Sequence, residues 1–452
     1  MKKIIFCFDG TACALSAGTP TNVVLTAASI NRTAKDGTAQ IIYYDEGVGT
    51  AWYDKIVGGA FGWGLIENVR EAYRFLIFNY DPGDEIFVFG FSRGAFSARS
   101  FIGLIRFVGP LRRLHASHID EALKLYHKRV EETDFNSEKL QRFRATYSDV
   151  CINEKDEDWR VQNDPKYVRG KAPIINIKYL GVWDTVAALG APEVLPGSSR
   201  VNVGYRFHDT SVTSFIMSAR HAVAIDERRS LFPPVMFGDL TELNKSKGFK
   251  VGATDAPYQE RFFPGDHGSI GGGGDIRGLS DGALAWVLKG AKAAGLELDS
   301  NEGTRIQGIV PDPLAPLCNI KTSKPDLLSL TLYQLKNERV GPDNFSQLST
   351  SVLRRWKAEK SLLPEKTPYR PASLHKLAAE LDLYEAPVVS AAMEIIASHK
   401  VVQGDTLYGL AGKYYGDKTE FGKIFDANRD RLDDPRDLFL GIELRIPKVT
   451  GN

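Results

Sequence analysis

The sequence is poor in cysteine. It has four, Cys7, Cys13, Cys151 and Cys318, and no two are spaced as a CxxC pair. That excludes a disulfide framework, a zinc ribbon and a thioredoxin-like motif, and it implies reduced, mostly buried thiols. A dominant charge is missing too. Lys and Arg number 57 against 56 Asp and Glu, a net +1. No broad field is left to hold a polyanion, so nucleic acid is not an expected partner. No stretch of about 18 apolar residues occurs, so no membrane-spanning helix is expected. The N-terminal apolar run Ile4-Ile-Phe-Cys-Phe8 stops at Asp9, short of the roughly 7–15 residues of a secretory signal. We expect a chain made in the cytoplasm without a signal peptide. Tandem repeats and low-complexity tracts are also absent. What is present, 43% apolar and 25% charged residues over 452 positions, is ordinary globular composition. At roughly 150 residues per domain, the length allows about three units.

Strand-like and helix-like segments alternate. Lys3–Phe8 and Glu85–Phe89 are short apolar runs that read as buried strands, as do residues 174–182 and 260–264. Residues 65–79, Ala95–Phe107, 211–224 and Asp281–Ala294 read as helices. The alternation predicts a mainly parallel α/β sheet. Residues 111–170 are charged and partly helical, and read as an insertion or a lid. Residues 298–397 carry many prolines and few strand patterns, and read as a helical layer or linker. Residues 399–448 change character again and form a compact unit. The expected divisions are 1–295, 296–397 and 398–449.

Chemistry concentrates at the ends of the strands. Glu85-Ile-Phe-Val-Phe-Gly90-Phe-Ser92-Arg93-Gly94-Ala95 is a strand, then Gly-x-Ser-x-Gly, then a helix, the pattern of the α/β-hydrolase nucleophile elbow. Ser92 needs a sharp turn to lift its hydroxyl above the sheet, and Gly90 and Gly94 let strand and helix approach closely. The backbone N–H of Arg93 can then face a developing oxyanion. A serine nucleophile needs a base, and the base an orienting carboxylate. Asp184 ends the strand Leu180-Gly-Val-Trp-Asp184, and His267 follows the next strand in Phe263-Pro-Gly-Asp-His267. The order Ser92, Asp184, His267 is the order this fold uses. The remaining histidines are weaker candidates: His115 and His118 read as solvated, His221 as a core or supporting residue on a helix face. Phe8-Asp-Gly-Thr11 resembles the haloacid-dehalogenase phosphatase opening, but Cys7 stands where that family has its nucleophilic aspartate. On the hydrolase reading the same loop offers a second oxyanion N–H from Gly10 or Thr11. The Gly/aromatic stretch 51–64 reads either as an acyl-chain or lipid contact or as a loop packed under a helix.

Taken in order, Phe8-Asp-Gly-Thr11, Gly90-Phe-Ser-Arg-Gly-Ala95 with Arg99, Gly181-Val-Trp-Asp-Thr-Val186, His221-Ala-Val-Ala-Ile-Asp-Glu-Arg-Arg229 and Phe263-Pro-Gly-Asp-His267 resemble the catalytic domain of type VI secretion phospholipase effectors of the first lipase group. The resemblance covers roughly residues 1–295. It implies an α/β-hydrolase with a Ser-Asp-His triad that cleaves glycerophospholipid esters without metal or organic cofactor. It also implies delivery to a competitor's periplasm, with a secretion-spike protein and an immunity protein as partners. Two departures concern substrate and oxyanion loop: Ala12-Cys13 replace a common Trp-Asn, and Ser269 replaces a frequent Asp. Residues 399–447 resemble a LysM module, which implies a strand-helix-helix-strand fold binding N-acetylglucosamine chains such as peptidoglycan. Its groove loops would include Gly404, Asp405, Thr406 and Leu407 on one side, Leu438 and Gly441 on the other. Docking onto a secretion or tail component is the alternative role for this module. Two other functions are carried forward: an esterase acting on cell-wall glycan esters, and a non-enzymatic wall-binding protein.

Overall fold

A computed structural model describes residues 1–10, 18–47, 60–128, 135–187, 211–229, 232–298, 309–319, 338–384, 394–402, 404–429, 432, 435, 438 and 442–449. Six strands form one sheet: β1 Lys3–Phe8, β2 Gln40–Asp45, β3 Glu85–Phe91, β4 Ile177–Trp183, β5 Ala219–Ala224 and β6 Tyr258–Phe263. The order is β2-β1-β3-β4-β5-β6, and every pairing is parallel. The described helices of this part are α1 Asn22–Ala28, α2 Ala60–Asn79, α3 Ser92–Val108, α4 Ile119–Lys128, α5 Glu138–Tyr147, α6 Glu154–Asn163, α7 Thr241–Ser246, α8 His267–Gly271, α9 Gly278–Ala293, α10 Thr350–Lys357 and α11 Ala378–Leu383.

The central strands are apolar over most of their length because both faces are covered. Successive side chains point to opposite faces. Ile4, Phe6 and Phe8 of β1 join Ile86 and Val88 of β3 in one core, beneath α2 and α3. Ile5 and Cys7 join Phe87, Phe89 and Phe91 in the other, beneath α9. Each buried Phe or Ile contributes roughly 1.5–3 kcal/mol. The strand ends are therefore anchored from two sides, and the loops that leave them start from fixed points.

The insertion at 111–170 packs behind α3. Ala122, Leu123, Leu125 and Tyr126 of α4, with Leu140 and Phe143 of α5, enter the same core as α2 and α3. A buried ion pair fastens this layer: Arg144 Nε donates to Asp156 Oδ1 at 2.9 Å. Beyond α9, α10 and its neighbours pack on the β6 edge, where Val352, Leu353 and Trp356 meet Val223, Ile225 and Phe262.

Two segments differ from the expectation. Residues 211–224 are not a helix: their second half is β5, with His221 on it. Every residue of β5 is buried, and its polar residues Arg220 and His221 stand side by side, so the alternation that marks a strand is absent and the segment reads equally as helix. β2 and α1 carried too weak a pattern to be read.

The C-terminal part is a separate small unit. The antiparallel pair β7 Ile395–Lys400 and β8 Glu443–Pro447 flanks α12 Leu407–Tyr415 and α13 Phe421–Ala427. Its core contains Val401, Leu407, Leu410, Ile424, Leu444 and Ile446.

Candidate active site

Four functional strand ends lie at the carboxyl edge of the sheet, where open α/β sheets hold their ligands. β3 ends into Ser92, β4 into Asp184, β6 into His267 and β1 into Asp9. Ser92 is the first residue of α3. Its φ of 59° lies in the left-handed region that a non-glycine residue seldom adopts, and Asp184, at φ 37°, is there too. Such strain persists where the surroundings fix it, and it clusters at functional sites. At Gly94 a Cβ would stand 2.3 Å from both the Phe8 and the Asp9 carbonyl oxygens. Only glycine allows α3 to start this close to the end of β1.

The structure brings Ser92, His267 and Asp184 into one chain of hydrogen bonds. His267 Nδ1 lies 2.6 Å from Asp184 Oδ2, and His267 Nε2 lies 2.7 Å from Ser92 Oγ. An ionised carboxylate only accepts, so Nδ1 carries the proton and Nε2 is left to accept from the serine hydroxyl. All three residues are buried. The imidazole is flanked by Phe91 and Phe232, with ring centroids 4.7 and 4.9 Å away. Its backbone N–H donates to Glu227 Oε2 at 3.2 Å. Glu227 also takes Arg229 Nη2 at 2.6 Å. Burial alone would raise the Glu227 carboxyl, but Arg229 outweighs it and holds the group below its ordinary range.

Asp184 has four donors. Besides His267, it accepts the Ala224 N–H at Oδ1, 2.9 Å away, and Arg339 Nη1 and Nη2 at 2.6 and 2.9 Å. Burial works to raise its carboxyl, but the Arg339 charge and the His267 bond overcome it and hold the group well below the usual range. One layer deeper, His221 Nε2 accepts the Thr185 N–H at 3.1 Å, and its Nδ1 pairs with Glu260 Oε2 at 2.8 Å. His221 thus supports the turn that carries Asp184.

The oxyanion side differs from the expectation. Arg93 stands in the first turn of α3. The Gly10 N–H is not directed to an oxyanion: it donates to Asp9 Oδ1 at 2.7 Å. Asp9 also accepts from Thr21 and Tyr44 hydroxyls at 2.6 and 2.7 Å. Its buried carboxylate needs donors, and the nearest amide supplies one. Burial still pushes this carboxyl up to about 6. Thr11 lies outside the described residues, as does most of the Gly/aromatic stretch at 51–64.

In the small unit, Asp405 Oδ2 takes the Val402 N–H at 2.8 Å and pairs with His399 Nε2 at 2.7 Å. Gly404 turns with φ 84°. Thr406 caps α12 by accepting the Gly409 N–H at 2.9 Å. The Leu407 side chain is buried in the core, so it does not face a glycan as expected. Leu438 packs half-buried against that core, and Gly441 lies outside the described residues. Among the described residues no cluster of His, Cys, Asp or Glu could hold a metal ion, and no helix is long and apolar enough to cross a membrane.

Arg339 had no signal in the sequence. It sits in a proline-rich stretch with no strand pattern, and reaches Asp184 across 155 positions of chain.

A strand-end serine, an imidazole and a carboxylate aligned on a parallel sheet define a hydrolase-type α/β fold. The chain matches the model of the family described as "T6SS, Phospholipase effector Tle1-like, catalytic domain" over residues 2–290, and belongs to that family. Residues 399–447 match the LysM domain. A curated relative, an uncharacterized protein of Saccharomyces cerevisiae, is 27% identical over 266 residues, 54% of this chain and 34% of its own. The chain thus spans about a third of the length of that relative. Two solved structures are similar at 19% identity. One is an uncharacterized protein from Pseudomonas aeruginosa (TM-score 0.34, covering 66% of this chain and 46% of that one). The other is the Tle1 effector bound to the VgrG spike of the type 6 secretion system (TM-score 0.30, 60% and 51%).

Proposed function

We propose that this chain is a serine ester hydrolase that cleaves acyl esters of membrane glycerophospholipids as an antibacterial effector. The observation that carries the chemistry is the continuous Ser92–His267–Asp184 hydrogen-bond chain, at 2.7 and 2.6 Å. Family membership over residues 2–290 supports the lipid substrate. In the first step the Ser92 Oγ proton passes to His267 Nε2 as Oγ attacks the ester carbonyl carbon, and the C=O electron pair moves onto oxygen. Collapse of that adduct expels the lyso-lipid alkoxide, which takes the proton from His267. Water then deprotonates to His267 and attacks the acyl-serine, releasing the fatty acid and restoring Ser92. Asp184 holds the imidazole tautomer and offsets its positive charge. The Arg93 N–H, at the start of α3, is assigned to the oxyanion.

The LysM domain is assigned to N-acetylglucosamine glycan of the wall, which would raise the local concentration of enzyme at the membrane beside it. We further propose the target periplasm as the site of action, reached on a secretion spike and countered by an immunity protein. The LysM domain also favours a second reading, an esterase acting on wall-glycan esters.

The test is fatty-acid release from phosphatidylethanolamine and phosphatidylglycerol vesicles, wild type beside Ser92→Ala. Release abolished in the variant is expected. A wild type that takes a fluorophosphonate at Ser92 but releases nothing from vesicles would transfer the reading to glycan esters. Absence of both reactions would sink the enzymatic reading.

A further inference from the structure

Arg339 lies outside residues 2–290, the part of the chain that carries the family. Yet its side chain is 5% exposed and ends on the triad carboxylate. Nη1 bonds Asp184 Oδ1 and the Ala224 carbonyl at 2.6 and 3.0 Å. Nη2 bonds Asp184 Oδ2 and the Phe232 carbonyl at 2.9 and 2.8 Å. This is a two-point grip of a planar guanidinium on a carboxylate, with both nitrogens also held by backbone, a geometry lysine cannot reproduce. The stretch that carries it is itself anchored. Two residues on, a Cβ at Gly341 would lie 1.7 Å from the Ser373 carbonyl oxygen. Further along, the Ser349 N–H donates to the Phe262 carbonyl on β6 at 3.0 Å. The Tyr369 hydroxyl donates to Asp226 Oδ2 at 2.9 Å.

We infer that Arg339 is a positioning residue of the triad: it grips the Asp184 carboxylate at two points and so fixes the oxygen on which His267 Nδ1 rests. The inference deepens the ester-hydrolase reading and rests on it. Arg339 Nη2 and His267 Nδ1 bond the same carboxylate oxygen, at 2.9 and 2.6 Å, so no more than about 5.5 Å separates them. At that distance the cation is felt at the imidazole whenever the ring is positive. The other carboxylates on the surrounding elements are each held by a hydrogen bond or an ion pair. Glu227 is paired with Arg229, and Glu260 with His221. Asp226 is bonded by the Gly265 N–H and the Tyr369 hydroxyl, and Asp266 accepts the Ser269 N–H. The net result is a triad aspartate whose orientation is set by a side chain from outside residues 2–290.

The experiment compares wild type, Arg339→Met and Arg339→Lys in the full-length protein. Each is followed by NMR of histidine-labelled samples and by kcat/KM on a soluble ester. In the Met variant both the cation and the grip are lost, so kcat/KM should fall about tenfold or more and the NMR signal of the His267 Nδ1 proton should shift. The Lys variant keeps the charge and loses the two-point grip. Its kcat/KM should also fall about tenfold or more. A folded Met variant whose His267 Nδ1 proton signal and kcat/KM both stay in place overturns the inference. So does a Lys variant of full activity, which remains decisive if the Met variant does not fold. A wild type that is unreactive toward both ester and fluorophosphonate would defeat the ester-hydrolase reading instead. The NMR signal of the His267 Nδ1 proton still tests Arg339 in that case.

Discussion

Replacing Gly94 by alanine adds one carbon where the chain has no room. The new Cβ would meet the Phe8 and Asp9 carbonyl oxygens at 2.3 Å, and the Asp9 carbonyl carbon at 2.7 Å. All three atoms are backbone, so no flexible side chain can swing aside. Restoring ordinary contact requires the start of α3 and the end of β1 to part by roughly 1 Å. Overpacking of this kind costs about 1–3 kcal/mol. For a domain of this size that lowers the melting temperature by about 2–4 °C per kcal/mol. The larger effect falls on chemistry. The same movement carries Ser92 and the Arg93 N–H away from His267, and a misplacement of about 1 Å can cost on the order of 100-fold in rate. The assay is the second-order rate of Ser92 labelling by a fluorophosphonate, read beside a thermal melt. We expect a folded variant whose labelling is slowed about 100-fold. Labelling at the wild-type rate would refute the argument that the tight contact of α3 with β1 sets the position of the nucleophile.

Two further outcomes follow from hydrogen-bonded carboxylates. Asp9, pushed up to about 6 by burial against an ordinary 3.8, binds its proton more tightly folded than unfolded. Stability therefore falls as pH rises from about 4 to 6, and the full cost, about 3 kcal/mol, stands above that window. Asp9→Asn cannot ionise, so its urea midpoint relative to wild type should improve between pH 4 and pH 7.5; parallel pH dependences would count against the assignment. Asp405→Ala leaves the Val402 N–H and His399 without their shared acceptor, at a cost of about 0.5–1.5 kcal/mol in this partly exposed site. Co-sedimentation with peptidoglycan should weaken while vesicle hydrolysis is kept, and undiminished sedimentation would contradict a glycan role for that loop.

The sheet and the three aligned residues were legible because their signals are local. Phe89-Gly-Phe-Ser-Arg-Gly94 couples an apolar run to close-approach glycines, and Asp184 and His267 each follow a recognisable strand. Other features depend on distant parts of the chain. β5 is buried along both faces, so Ala219–Ala224 gave no alternation by which to know it as a strand. The Gly10 N–H looked available until Asp9, buried among Thr21 and Tyr44, was seen to need it. Leu407 looked like a loop residue, whereas the first turn of α12 turns it inward. Arg339 was invisible because nothing around it has a period or a motif, and its partner lies 155 positions earlier.

The cross-strand polar row under the site has a consequence for how the protein fails. The Thr185 N–H meets His221, His221 meets Glu260, and Glu260 takes the Phe237 N–H at 2.6 Å. The turn holding the acid is thereby riveted to β5 and β6 and cannot loosen on its own. On warming, inactivation should coincide with collapse of the whole sheet, with no earlier softening of the active centre. Up to that temperature a molecule has a working site, and beyond it none.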